Sequence, residues 1–484
     1  MGFPSVYPTG VTVYNPAKAA PGYTLLHAPD VGVVLLDLNG REVQVWKDLQ
    51  GFPPKLLPGG QLLASSGNRD PKHAFQDQID LVQVDWDGHI VWRFSQLEEV
   101  SDPGSETRWV ARQHHDFQRA GNPVGYYAPG QTPQTDGGNT LLLVHEEVHN
   151  PAISDHVLLD DRIVEVGWDG RLLWSWRASD HIDELGFSDA ARTALFRNPN
   201  LRQLADRQVG DWLHINSLSA LGPNRHYDAG DARFHPDNLI WDAREANIIA
   251  IVDKQSGAIV WRLGPDYDGN DAEKKLGWII GQHHAHLIPR GLPGEGNLLV
   301  FDNGGWAGYG APHPASPDGL QHVRRDYSRV LEIDPVTLDV VWQYTPAEAG
   351  FVIPLDAQRF YSPFVSSAQR LSNGNTLITE GSNGRIFEVT ADHELVWEYL
   401  SPYRGKTYPL HLLYRAYRAP YDWVPQLPTP VETAVERLVP ASFHVPGAAN
   451  ERRREVTVQG VQAGVPDSAF CVAVSRDAGR SELR

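Results

Sequence analysis

The sequence is short of sulfur and of positive charge, and both shortages limit what the chain can be. It contains one cysteine, Cys471, and one methionine among 484 residues. A single cysteine excludes a disulfide within the chain and is typical of the reducing cytoplasm, so we expect a cytoplasmic location. The formal net charge of -18 disfavours binding to nucleic acid, whose phosphates attract basic surfaces.

Long apolar runs are also missing. No stretch approaches the roughly 18 residues that cross a bilayer, so we expect no membrane partner. The segment MGFPSVYPTGV lacks the basic start and apolar stretch of a secretory signal. A phosphate-binding loop and the G-x-S-x-G elbow of serine hydrolases are absent as well. The expected partner is therefore a small-molecule substrate.

Tryptophan is abundant, and most of it belongs to a repeat. Six times, a run of alternating apolar residues is followed by a turn rich in Asp, Asn or Gly and then by a second β-branched run. The six copies end at Trp46, Trp92, Trp174, Trp261, Trp342 and Trp397. Each copy is typical of a β-hairpin. Because one hairpin cannot bury its apolar face alone, six of them predict radial repetition.

Two further strands precede each hairpin, so each repeat has four strands, labelled A to D from the axis outwards. This order predicts an all-β fold, a six-bladed β-propeller, with a single domain over 1–484 and a tail over 425–484. The first repeat lacks its own A strand. Either 11–16 or 454–460 would supply it and close the ring.

Three polar insertions interrupt the repeats at 99–135, 178–210 and 305–326. They predict long loops over one face of the propeller. The segment DAARTALFRNPN within the second insertion predicts a short helix.

The twenty histidines are not explained by the repeat. Since strands A and B are antiparallel, the start of A, the end of B and the start of C meet at one face. The polar residues at these places are His114, His115, His214, His283, His284 and His286 on A strands, His145, Glu146, Glu147, Asp242, Arg244, Asp302 and Asn303 at B ends, and Arg329 and Arg385 at C starts. Imidazole and guanidinium groups that converge on one channel predict a site for an anionic ligand or a metal.

The HxH pair of the fifth repeat suggests a metal in particular. Alternation along a strand puts His284 and His286 on one side and His283 on the other. Two imidazoles on one strand, together with His115 or His214 from neighbouring blades, would suit a divalent cation.

Several segments resemble one enzyme family. DWLHINSL, DNLIWDARE, GQHHAHL, GNLLVFDNGG and YSRVLEID are similar to the bacterial arylsulfotransferase family, and the resemblance covers most of 20–400. It implies a six-bladed propeller that moves a sulfuryl group from a phenolic sulfate ester to another phenol. It implies no nucleotide donor and no required cofactor.

The resemblance also implies roles for four residues. His214, Arg244, His283 and Arg329 match functional positions of the family. Arginine and protonated imidazole would bind the sulfuryl oxygens and stabilise charge on the leaving phenolate. A neutral imidazole would act as base or nucleophile.

The last blade departs from the family pattern. The histidine that carries the sulfuryl group in the family falls in EGSNGRIFEV at 380–389, which contains no histidine. The nearest histidines are His393 and His411. The resemblance therefore implies a divergent member in which another histidine, such as His284, takes the nucleophile's place.

The leading interpretation is an arylsulfotransferase-like enzyme acting on a small phenolic or anionic substrate in the channel. Its predicted catalytic residues are His214, His283, His284, Arg244 and Arg329, and its predicted substrate-binding residues are His115, His145, Asn303 and Arg385. One alternative is a metal-dependent lyase, hydrolase or oxidoreductase that uses His115, His214, His284 and His286. The second alternative is a binding propeller without catalysis.

Overall fold

The structure is a computed structural model that describes residues 8–406 and 409–439, and beyond them 443, 444, 447, 456, 457, 459 and 460. Strands make up 39% of the described residues and helices 8%, and the sheets form a six-bladed β-propeller. The predicted fold class is confirmed. In the part of the chain that is described, no helix is long and apolar enough to cross a membrane.

Each blade is an antiparallel sheet in which strands A to D pair in order. In blades 2 to 6 the strands are Gln50–Leu57, Gln61–Ser65, Leu81–Val84 and Ile90–Phe94; Gln113–Arg119, Thr140–Val148, Leu158–Val166 and Leu172–Arg177; Ile215–Ala220, Leu239–Ala243, Ile248–Val252 and Ile259–Leu263; His283–Leu287, Leu298–Asp302, Arg329–Ile333 and Val340–Tyr344; and Ser367–Arg370, Thr376–Glu380, Arg385–Val389 and Leu395–Leu400. The predicted A and B strands of these repeats all form.

The tryptophans that end the repeats join each blade to the next. Each indole N–H donates a hydrogen bond to a carbonyl in the C–D turn of the following blade. The donors and acceptors are Trp46 and Asp85 (3.2 Å), Trp92 and Trp168 (2.9 Å), Trp174 and Lys254 (3.0 Å), Trp261 and Pro335 (2.8 Å), Trp342 and Ala391 (2.9 Å), and Trp397 and Leu38 (2.8 Å). These six bonds form a complete circle, which explains why the repeat ends in tryptophan.

The ring closes through both ends of the described chain. In blade 1, strands Tyr23–Ala28, Gly32–Leu36 and Glu42–Lys47 are completed on the inside by Ala416–Ala419. Strand Gly10–Tyr14 pairs instead with the outer strand of blade 6, as a fifth strand.

Of the two strands that the sequence left open for this place, 11–16 is therefore the wrong one, and 454–460 lies largely outside the described residues. The strand that closes the ring is only four residues long and is buried on both faces. For that reason it has no alternation of apolar and polar residues that the sequence could reveal.

A buried arginine fixes the closing strand. The Arg418 guanidinium donates to the Ala20 carbonyl and lies 3.1 Å from a Glu388 carboxylate oxygen in blade 6. Its Nε donates to the Thr24 hydroxyl in blade 1. The side chain therefore joins the first blade to the last by polar contacts that are almost wholly excluded from water.

Most of the inserted chain lies on the face where the A strands begin, because it follows B or D strands. The elements of these insertions are strands Glu98–Val100, Arg108–Val110, Leu201–Gln203, Gln208–Gly210, Gly305–Tyr309 and Leu320–Arg325, the 3₁₀ turn Ala178–His181 and the helix Asp189–Arg197. The predicted short helix is confirmed. The first predicted insertion is too long, since 113–119 is strand A of blade 3 and 120–139 links it to strand B at the opposite face.

The remaining helical elements are short. They are the α-helices Arg225–Asp228 and Asp271–Leu276, and the 3₁₀ turns Ala232–Phe234, Ala357–Arg359, Gly381–Asn383 and Tyr421–Trp423.

The indole circle leads to a stability prediction. Replacing Trp397 with Phe removes the bond to Leu38 and leaves a buried carbonyl unpaired, so we expect the unfolding free energy to fall by about 2 kcal/mol or more. The matched control is Trp306→Phe, because Trp306 is 39% exposed on an inserted hairpin and its replacement should cost less than about 0.5 kcal/mol. Urea unfolding followed by fluorescence measures both, and equal losses in the two variants would contradict the role of the circle.

Candidate functional site

The polar mouth of the channel is built at A strands that begin irregularly. His115, His214 and His284 have left-handed backbone conformations, with φ of 52°, 55° and 59°. Such values are uncommon outside glycine and accompany bulges, and the register of the A–B pairing shifts beside each of the three. The bulges turn these imidazoles out of regular alternation.

Four histidines from blades 3 and 4 gather into one group, which we call the histidine cluster: His114, His115, His145 and His214. The rings of His114 and His145 stack with centroids 3.6 Å apart, and those of His115 and His214 meet edge to face at 4.6 Å. The Nδ1 atoms of His114 and His115 are 2.8 Å apart. All four side chains are buried at the channel mouth.

Three buried carboxylates lie beside the histidine cluster, and two of them are hydrogen-bonded to its rings. Asp211 accepts a hydrogen bond from Nδ1 of His214 at 2.8 Å, and Asp77 accepts one from Nδ1 of His145 at 2.7 Å. Asp161 lies with Oδ1 3.3 Å from Nε2 of His114.

None of the three carboxylates was predicted from the sequence as a site residue. Asp77 and Asp161 come from a loop of blade 2 and the C strand of blade 3, and no motif links either to a histidine. Only Asp211 carried a signal, the i, i+3 spacing to His214 in DWLH.

Burial raises the pKa values of Asp211 and Asp77, whereas neighbouring charged side chains lower them. Burial alone would raise the pKa of Asp211, but the His214 imidazole and the Arg202 guanidinium hold it well below its usual range. Arg112, His145 and Arg69 likewise outweigh burial and depress the pKa of Asp77.

Asp161 has no cation beside it. Burial raises the pKa of Asp161 well above its usual range, and Asp211 and Asp160 raise it further. Burial also lowers the pKa values of His114 and His115 well below the usual value for imidazole. These two histidines are therefore neutral near neutral pH.

Aromatic side chains form one wall beside the cluster. The ring of Phe52 lies 4.6 Å from His115 and 4.1 Å from Tyr414, centroid to centroid. Phe75 contacts His214 at 6.2 Å, and the Arg202 guanidinium lies 5.1 Å from the Phe75 ring. The mouth thus offers an apolar aromatic surface next to imidazole nitrogens.

Arginines lie around the cluster. Arg244, at the end of a B strand, pairs with its neighbour Glu245, and its exposed fraction is 8%. A cleft of about 580 Å³ opens on the same face, with Arg69, Arg112 and His145 among the residues that line it. The predicted convergence of imidazole and guanidinium groups therefore exists around blades 2 to 4.

His283 and Asn303 lie near the cluster, but their polar atoms bind other protein groups. Nδ1 of His283 contacts Oδ1 of Asn303 at 2.8 Å, and Nε2 accepts from the Val365 N–H. The Asn303 amide donates to the carbonyls of Ser362 and Val365. In this structure the pair fixes the junction of blades 5 and 6.

Arg329 and Arg385 are held in ion pairs rather than in the cluster. Nε of Arg329 donates to Asp302 at 2.7 Å, and its two other nitrogens bind main-chain carbonyls. Arg385 pairs with Glu380 and Glu398.

His284 and His286 are separated from the cluster by their own partners. Nδ1 of His284 contacts the Ala368 carbonyl, and Nδ1 of His286 contacts the His284 carbonyl. Nε2 of His286 lies 2.8 Å from the Tyr126 hydroxyl, and burial lowers the pKa of His286 to about 4. The rings of His284 and His286 do lie close, at 4.4 Å, although the left-handed backbone at His284 interrupts the regular alternation of the strand.

The place of the missing last-blade histidine is filled by other groups. Residues 381–383 form a 3₁₀ turn, and the His411 main chain packs against Gly384. Nδ1 of His411 contacts the carbonyl of Ser401 beyond the outer strand. His393 lies at a C–D turn on the opposite face, where Nε2 contacts the Gln343 carbonyl.

Comparison with known proteins identifies one family. The arylsulfotransferase (ASST) family model matches residues 130–398, more than half of the chain. No curated protein matches the chain.

Solved structures are only distantly similar. A protein of unknown function from Bacteroides caccae is 11% identical, with 82% of this chain and 98% of that chain covered and a TM-score of 0.41. Virginiamycin B lyase from Staphylococcus aureus is 10% identical, with coverages of 82% and 90% and a TM-score of 0.32.

Asp242 beneath the mouth gives a pH-dependent prediction. Its Oδ2 accepts from the Ser217 hydroxyl and the Ala285 N–H, while Oδ1 is buried without a partner in the described chain. Burial raises its pKa from 3.8 to about 7, although the facing Arg415 lowers it and Asp116 raises it further. A raised pKa in the folded state means that stability present below about pH 4 is lost as the pH rises towards 7.

Asp242→Asn removes this titration. Between pH 4 and pH 8 we expect the variant to gain about 2–4 kcal/mol of unfolding free energy relative to the natural protein, since one pKa unit is about 1.4 kcal/mol. Urea unfolding at several pH values measures the unfolding free energy of both proteins. The contributions of all other titrating groups cancel when one value is subtracted from the other. Parallel pH profiles would show that Asp242 is ionised throughout.

Proposed function

Because the chain belongs to the arylsulfotransferase family, we propose that it transfers a sulfuryl group from a phenolic sulfate ester to a second phenol at the histidine cluster. The observation that carries this proposal is the pair formed by Asp211 and His214. Its carboxylate holds Nδ1 of the imidazole at 2.8 Å, and no described protein group hydrogen-bonds Nε2. A transferase that works through a covalent intermediate needs such a nucleophile.

His214 is the proposed nucleophile. The hydrogen bond from Nδ1–H to Asp211 leaves the lone pair on Nε2. This nitrogen attacks the sulfur of the donor, an S–N bond forms, and the S–O bond to the donor's ring breaks with its electron pair on the phenolate oxygen. Asp211 then stabilises the positive charge of the sulfurylated imidazole.

His115 is the proposed donor to the leaving oxygen. One of the two Nδ1 atoms that meet at 2.8 Å must carry a hydrogen. We assign it to His114, so that the hydrogen of neutral His115 is on Nε2. A hydrogen bond from that N–H stabilises the phenolate as the S–O bond breaks.

The second step reverses the first with a new phenol. The acceptor oxygen attacks the sulfur, the S–N bond breaks, and its electron pair returns to Nε2 of His214. The acceptor loses its proton to solvent, and the released phenolate takes one up. The sum is one aryl sulfate and one phenol converted into another aryl sulfate and another phenol.

The surroundings suit such substrates. Phe52, Phe75 and Tyr414 present ring faces and edges within contact distance of the imidazoles, as stacking with a phenol requires. Arg244 is a cation near the cluster whose Nη1 alone is used by Glu245. Its other nitrogens are the proposed ligands of the sulfuryl oxygens.

Fewer residues act in the proposed reaction than were predicted from the sequence to be catalytic. Other protein groups already hydrogen-bond the ring nitrogens of His283 and His284 and the guanidinium of Arg329. We propose that they support the channel wall, and that His214, His115 and Arg244 contact the substrate.

The assay uses p-nitrophenyl sulfate as donor and a phenol as acceptor, with release of p-nitrophenol followed by absorbance. His214→Asn should lower kcat/KM by about 10³-fold or more, because the nucleophile is lost. Asn is chosen because it tolerates the left-handed backbone at this position. Asp211→Asn should cost about 10²-fold or more, since the imidazole loses its oriented tautomer.

The matched control is His393→Asn. His393 is also left-handed, with φ of 69°, but lies on the opposite face. It should keep the activity of the natural protein. Undiminished turnover in a folded His214→Asn protein would reject the proposed nucleophile, and no turnover by the natural protein with any phenol acceptor would reject sulfuryl transfer.

A further inference from the structure

Two buried polar atoms face each other in the third blade without a hydrogen bond. They are Nε2 of His114 and Oδ1 of Asp161, both fully enclosed and both lacking a partner among the described residues. They are 3.3 Å apart but misaligned for a hydrogen bond. An unpaired buried donor or acceptor costs about 1–3 kcal/mol, so two side by side require an explanation.

His145 adds a third atom to this point. Its ring stacks on that of His114 at 3.6 Å, and among the described residues only its Nδ1 is hydrogen-bonded, by Asp77. One ligand atom from each of His114, His145 and Asp161 lies within 4.8 Å of the others. Two imidazole nitrogens and a carboxylate oxygen are the donor set of many zinc sites.

We propose that His114, His145 and Asp161 bind a divalent transition-metal ion of the zinc type. The site is distinct from the set His115, His214, His284 and His286 that the sequence offered. It does not depend on sulfuryl transfer, because none of its three ligands is the proposed nucleophile or donor.

The spacing suits tetrahedral coordination. With metal–ligand bonds of about 2.0–2.1 Å, two ligands of a tetrahedral ion are about 3.3 Å apart. The separation of His114 and Asp161 equals this value. The other separations in the group are at most 4.8 Å, so metal binding would shorten them by up to about 1.5 Å through movement of the side chains.

The atom of each ligand side chain that does not face the metal contacts another protein group, as in known metal sites. Asp77 accepts from Nδ1 of His145, which leaves the lone pair on Nε2. Nδ1 of His114 meets Nδ1 of His115, and the Ile215 N–H donates to Oδ2 of Asp161. The proposed reaction places a hydrogen on Nδ1 of His114. The lone pair of this ring is then on Nε2, where it can bind a metal.

A shared proton does not explain the arrangement equally well. A protonated Asp161 that donated to His114 would need an O–H···N distance of about 2.5–3.0 Å. The observed 3.3 Å exceeds this range, and the alignment fails.

One of the three ligands borders a space that is open to solvent. His145 lines the cleft of about 580 Å³ on the same face, whereas His114 and Asp161 lie behind it. Three protein ligands leave the fourth position of a tetrahedral ion free. A water molecule would complete the coordination.

The test uses the full chain, freed of any purification tag, treated with chelator and dialysed. Calorimetric titration with ZnCl₂ should give one equivalent per chain, and Co²⁺ in its place should give the visible absorption of a tetrahedral ion. Asp161→Asn and His145→Gln should each weaken binding by about tenfold or more. Asn at 161 retains an acceptor for the Ile215 N–H, so folding is preserved.

The control is His286→Gln, a buried histidine outside the set, which should bind metal as the natural protein does. Near-ultraviolet circular dichroism shows whether each variant is folded. Failure of the natural protein to bind Zn²⁺ or Co²⁺ would overturn the proposal. So would equal affinity in folded Asp161→Asn and natural protein. Because the readout is metal binding, its failure leaves the sulfuryl-transfer assay unaffected.

Discussion

Six indole hydrogen bonds, each from one blade to the C–D turn of the next, are the interaction on which the rest of the structure depends. They fix the rotation of every blade relative to its neighbours. The last bond, from Trp397 to Leu38, joins chain segments more than 350 residues apart. The A strands of blades 3 and 4, which hold most of the histidine cluster, lie side by side in this ring.

Buried polar contacts inside the channel connect the ring-closing segment to the strands of the histidine cluster. Arg415, just before the closing strand, reaches Asp116 of blade 3 at 2.8 Å and the Asn216 carbonyl of blade 4. Lys55 of blade 2 binds the other oxygen of Asp116. The ring-closing segment therefore touches the strands that hold the histidine cluster. A change in closure would move the imidazoles as well as the edge of the ring.

Inside the cluster, the chemistry is decided by which imidazoles have a carboxylate. All four rings are buried, and burial lowers the pKa values of His114 and His115. Asp211 and Asp77 each accept a hydrogen bond from Nδ1 of one ring and leave its Nε2 lone pair available. We propose that His214 uses this lone pair for a sulfuryl group and His145 for a metal. Oδ1 of Asp161 and Nε2 of His114 have no hydrogen-bond partner among the described residues, and their convergence with His145 is the basis of the metal proposal.

The sequence predicted the propeller because hairpin periodicity and the terminal tryptophans are local signals. The closing strand 416–419 escaped prediction, since four residues buried on both faces have no period. The mouth with His115, His145, His214 and Arg244 was located through strand direction alone. The carboxylates that contact the histidines could not be located in this way, because Asp77 and Asp161 belong to a loop and a strand that are distant in the sequence. His283 and Arg329 occupy the predicted positions, yet Val365 and Asp302 bind the atoms that a substrate would need.

The central claim is that His214 carries the sulfuryl group between donor and acceptor. The direct measurement is mass spectrometry of the natural protein quenched after incubation with p-nitrophenyl sulfate and no acceptor. The account predicts one added sulfuryl group per chain, on the peptide that contains His214, and its disappearance when a phenol is added before quenching. An adduct on any other residue, or burst release of p-nitrophenol without an adduct, would contradict it.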